Sequence, residues 1–62
     1  MDDYTTLVDK IETDLTHLDL LLRAESHDRD LIEVAIGVAK RVRRTSTMLL
    51  QALAVERDTR QP

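Results

Sequence analysis

The chain has 62 residues, 12 acids against 9 lysines and arginines, a net charge of −3 and a pI near 5.2. A chain of this length forms one domain at most, with a thin core, and the absence of cysteine excludes disulfide staples and thiolate metal sites. The acidic balance disfavours nucleic acid as the main partner.

No apolar run approaches the roughly 18 residues of a membrane span. The N-terminus carries Asp2 and Asp3 where a signal peptide needs bases. The expectation is a soluble cytoplasmic protein without membrane contact.

Tyr4, Val8, Ile11, Leu15, Leu18 and Leu22 follow one another at spacings of 4, 3, 4, 3 and 4. A period of 3.5 predicts a helix, over about residues 4–25, that buries one narrow seam against another helix. Asp2 or Asp3 suits its start, both as a cap and as a charge favoured by the helix dipole. Asp14 and His17 lie three apart, like the acid and imidazole of the Glu-x-x-His motif in metal-binding bundles. His17 falls off the seam and the pattern has no second copy, so no metal or other cofactor is expected.

The segment Glu25-Ser26-His27-Asp28-Arg29-Asp30 contains neither Gly nor Pro. Running the first seam on through it would bring Arg29, Arg43 and Ser46 into the core, which argues for a break. A turn is predicted at about 26–29. Ser26-His27-Asp28 is not read as a catalytic triad, because triad members converge from separate segments. No phosphate-cradling loop, nucleophile elbow or metal spacing occurs elsewhere, and the chain is not expected to be an enzyme.

The second apolar segment opens with Leu31, Ile32, Val34, Ala35, Ile36, Val38 and Ala39 and continues at helical spacing through Val42, Leu49, Leu50 and Leu53. It predicts a helix over about 29–57, with residues 58–62 as a frayed tail. Asp30 with Glu33 resembles a capping box, and Asp28 is the rival cap. Ala35, Gly37 and Ala39 suit either a close helix crossing or a shallow groove for a partner helix.

An antiparallel hairpin turning near residue 27 sets residues whose numbers sum to about 55 opposite one another. Leu22 then faces Val34, Leu18 faces Val38, Ile11 faces Thr45 and Leu7 faces Leu49. Residues 1–30 hold nine acids and three bases, and residues 31–62 three acids and six bases, so the halves carry −6 and +3 and complement each other.

Two surfaces stand out. Leu20 and Leu21 lie off the first seam, and the 31–39 stretch is wider than one seam. Leu20, Leu21, Leu31, Val34, Ile36 and Val38 are therefore candidate interface residues for a second copy or another protein. Lys40, Arg41, Arg43 and Arg44 form a basic edge for an anionic partner, with pairing to Glu12 and Asp14 as the plainer reading. Tyr4 is the only aromatic residue, so a base-stacking platform is missing.

The fold expected is all-α: a two-helix antiparallel hairpin, in one domain, pairing into a dimeric four-helix bundle. Length, helix lengths and central turn resemble the outline of the Rop-like hairpins, whose chains dimerise; no motif is shared, so no residue role carries over. The function expected is that of a small protein-binding regulator or adaptor acting through helix–helix contacts. The alternatives are a nucleic-acid-binding regulator using the basic edge and a purely structural self-assembly module.

Overall fold

A computed structural model describes residues 3–60 of the chain, and two helices make up its regular structure, α1 (Asp3–Leu22) and α2 (Arg29–Arg60). They run antiparallel: Tyr4 at the start of α1 donates to the Ala52 carbonyl and to the Glu56 carboxylate late in α2, and Asp14 meets Arg41 midway. These pairs agree with the register expected from the hairpin pattern. The ribbon they form measures 54 × 18 × 13 Å, with a radius of gyration of 15.2 Å. A globular chain of this length has about 10.6 Å, so the molecule is long and flat.

The break between the helices is built from two side chains acting back to back. His27 Nε2 donates to the Leu22 carbonyl at 2.9 Å and satisfies one of the acceptors α1 leaves open at its end. Asp28 Oδ1 accepts from the Leu31 N–H at 2.8 Å, which makes Asp28 the cap of α2 in place of Asp30. Helix α1 stops at Leu22, three residues short of the expected 25, with the Asp19–Arg23 pair (2.9 Å) bracing its last turn. His27 and Asp28 of the Ser26-His27-Asp28 run thus carry a capping role, local in sequence and exposed to water. Asp28→Ala should cost about 1 kcal/mol. A urea midpoint unchanged from the parent protein would mean that the turn does not depend on this cap.

At the other end α2 does not fray at 58 but continues to Arg60. Thr59 Oγ1 donates back to the Val55 carbonyl at 2.8 Å, and Arg60 pairs with Glu56 at 3.2 Å. Arg57 and Arg60 in the last turn are cations where the dipole favours them. Of the expected cap at Asp2 or Asp3, Asp2 and the side chain of Asp3 lie outside what is described, as do the last two positions of the tail.

The seam between the helices is heptad on both sides, but α1 does not present the row that its apolar spacing first suggests. Tyr4, Leu7, Ile11, Leu18 and Leu21 are half-buried and Asp14 is buried, which defines an inner row at 4, 7, 11, 14, 18 and 21. Val8, Leu15 and Leu22 are exposed instead. On α2 the inner row is Leu31, Ala35, Val38, Val42, Thr45, Leu49, Ala52 and Glu56. The expected facing of Leu22 and Val34 gives way to Leu21 and Ala35, while Leu18 with Val38, Ile11 with Thr45 and Leu7 with Leu49 remain aligned by the register.

The physical reason is the width of the α1 stripe. Tyr4, Ile11 and Leu18 form a central row flanked by Leu7, Asp14 and Leu21 on one side and Val8, Leu15 and Leu22 on the other. The flanking rows are about 100° apart round the helix, more than one partner helix covers. One of them must stay open.

Gly37 is exposed on the outside of α2, and a Cβ added there would meet nothing within 4 Å. It is therefore not a point of close approach between the two helices, whereas Ala35 is buried in the seam. Gly37→Ala should stabilise the protein by roughly 0.5–1 kcal/mol through helix propensity. A lowered thermal midpoint would indicate that something approaches the outer face closely at this glycine.

Candidate functional site: an open apolar face

The exposed row Val8, Leu15, Leu22 repeats every seven residues, each one position beyond an inner-row residue of α1. On α2 the equivalent positions are Ile32, Ala39, Ser46 and Leu53, each one beyond Leu31, Val38, Thr45 or Ala52. Because the helices run in opposite directions, equivalent heptad positions lie along the same edge of the seam. Both rows therefore open on one broad face of the ribbon. Ile36 and Leu50, four and three residues from Ile32 and Leu53, widen it on the α2 side, and both are exposed.

The opposite face is polar on its α1 side but apolar at three of the four positions on its α2 side. Its α1 positions are Lys10 and His17, and its α2 positions are Val34, Arg41, Met48 and Val55. Arg41 reaches across this edge to Asp14 at 3.4 Å. Asp14 is 7 % exposed, and its second carboxylate oxygen, Oδ2, is buried with no hydrogen-bond partner among the described residues. A charged residue thus sits in the hairpin's inner row while Leu15, beside it in sequence, is left 47 % exposed.

The interface candidates divide accordingly. Leu21 and Leu31 are half-buried and Val38 is 3 % exposed, all three within the hairpin's own seam. Ile36 lies on the open face, Val34 on the opposite one, and Leu20 stands apart on the outside of α1. Val8, Leu15, Leu22, Ile32, Leu50 and Leu53 complete the open face. The signal for them in the sequence was the adjacency of apolar residues at 7–8 and 21–22, which doubles the stripe.

The basic run is spread over about 160° of α2's circumference. Arg41 is paired with Asp14 and Arg43 lies at the rim of the open face; Lys40 and Arg44 lie between them on the outside. Among the described residues no ion pair engages Lys40, Arg43 or Arg44, and Glu12 is not paired with any of them. The described residues show no cavity and no group of three or more His, Asp or Glu side chains placed to hold a metal. No helix among them is long and apolar enough to cross a membrane. No family model, curated protein or solved structure matches the chain.

Proposed function

We propose that this chain is a small non-enzymatic regulator or adaptor that works by helix–helix contact, with the open apolar face as its working surface. A second copy is its first occupant, completing a four-helix bundle. The observation that carries this reading is the rotation of α1. An isolated hairpin would gain by turning α1 about 50°, which would bury Val8, Leu15 and Leu22 in exchange for Leu7 and Leu21 and return Asp14 to water. The chain instead buries Asp14 and leaves Leu15 out, so that the exposed row Val8, Leu15 and Leu22 is wholly apolar. That arrangement is favourable when the row is covered from outside.

The surface area supports the same reading. The chain exposes 5219 Å². A folded monomer of this mass exposes about 4,100 Å². The excess of about 1,100 Å² compares with the roughly 800 Å² per partner of a stable interface. Light scattering coupled to size exclusion at micromolar concentration should give twice the chain mass of 7.1 kDa. A cooperative, stable monomer would sink the reading.

A second reading rests on the unpaired Lys40, Arg43 and Arg44, which present positive charge to an anionic partner such as a nucleic-acid backbone. Submicromolar gel-shift binding to duplex DNA, structured RNA or single strands at about 0.1 M salt would promote it. Lys40→Ala with Arg44→Ala should then lower the salt slope by about two.

A further inference from the structure

The charges on the open face go further and say how two copies fit; this inference rests on the self-association proposed above. Glu12 lies four residues on from Val8, on the outer rim of the α1 side of the face, and Arg43 follows Ala39 by four on the outer rim of the α2 side. The numbers 12 and 43 sum to 55, so the hairpin register puts the two at the same height, near the middle of the face. Both are exposed and neither is in an ion pair among the described residues. They are one ribbon's width apart and do not answer each other within a chain.

Two flat ribbons meeting face to face about a two-fold axis have two choices. With the axis across the ribbon, α1 lies on the partner's α1 and α2 on its α2, with the turns at opposite ends. At full overlap this sets Glu12 against Glu12 and Arg43 against Arg43, because both stand at mid-length. With the axis along the ribbon, α1 lies on the partner's α2 and the turns share one end. Heights are then preserved, and Glu12 of each copy stands over Arg43 of the other, giving two ion pairs. The same placement lays Leu15 over Ala39 and Leu22 over Ile32, large against small at mid-face and apolar against apolar near the turn.

The geometry points to the second arrangement: a dimer in which α1 of each copy packs antiparallel on α2 of the other, both turns at one end, fixed by reciprocal Glu12–Arg43 pairs. Opposite charge across the rim sets orientation more than it sets affinity.

Two measurements on the full chain test this. The chain has no native cysteine, so nitroxides can be placed singly through Ser26→Cys in the turn and their separation read by pulsed electron resonance. Turns sharing an end should give about 20 Å, one interhelical spacing plus label arms, whereas turns at opposite ends give about 40 Å. Sedimentation equilibrium then compares Glu12→Arg, Arg43→Glu and the double variant. Each single reversal should weaken dimerisation about tenfold, through two symmetric rim pairs, and the double should recover to within about threefold of the parent. A dimer with distant turns, or a double variant no better than the singles, overturns the arrangement while leaving self-association standing. A monomer at every concentration overturns both.

Discussion

Replacing Leu15 and Leu22 together by lysine is expected to raise the dimer dissociation constant about a thousandfold, which sedimentation equilibrium reads directly. Each leucine is 47 % exposed in the hairpin. Covering what remains is worth about 1 kcal/mol per side chain, roughly half the full burial value of a leucine. Four such side chains meet in a dimer, so about 4 kcal/mol is lost, and 1.4 kcal/mol is a factor of ten. The substitution leaves the inner row untouched, since neither residue faces α2. Leu20→Lys is the control: Leu20 is exposed but lies away from the open face, and its replacement should leave the dimer mass unchanged. If the double lysine variant stays dimeric while Leu20→Lys dissociates, the working surface is on the outside of α1.

Asp14→Leu is expected to stabilise the protein, by about 1–4 kcal/mol in chemical unfolding at fixed protein concentration. The native carboxylate is buried in the inner row; among the described residues Oδ2 has no hydrogen-bond partner and Arg41, at 3.4 Å, is the one cation paired with it. Leucine of similar size removes that cost. Arg41, already half-exposed, returns to water cheaply. The reverse operation, Arg41→Ala, leaves the buried carboxylate without its counter-charge and should cost about 1–3 kcal/mol.

The gain from Asp14→Leu should come with a loss of specificity. With leucine at position 14 both flanking rows of α1 are apolar, and α1 can face α2 with either. A buried charge in the native row acts as a register device of the kind a single polar core residue supplies in coiled coils. Broadened amide resonances in the Asp14→Leu protein would report the competing rotations; a single sharp set at parental stability would count against both expectations.

Much of the architecture is written in local pattern. The apolar periods over about 4–25 and 29–57 specify two helices, found at 3–22 and 29–60, because each period repeats every turn and no Gly or Pro interrupts it except Gly37, which lies on the outside. The unequal charge of the halves and the position of the break set an antiparallel register, and the Asp14–Arg41 and Tyr4–Ala52 pairs agree with it. Which aspartate caps α2 was open between Asp28 and Asp30, since both offer a carboxylate near the first turn; the chain direction leaving His27 puts Asp28 within 2.8 Å of the Leu31 N–H. The rotation of α1, by contrast, is set by packing between the helices. Tyr4, Ile11 and Leu18 belong equally to a seam through Leu7, Asp14 and Leu21 and to one through Val8, Leu15 and Leu22; the unbroken apolar spacing favours the second, and it is the first that is buried. The choice depends on contacts across the hairpin, above all Asp14 reaching Arg41, and it turns the more apolar of the two rows outward.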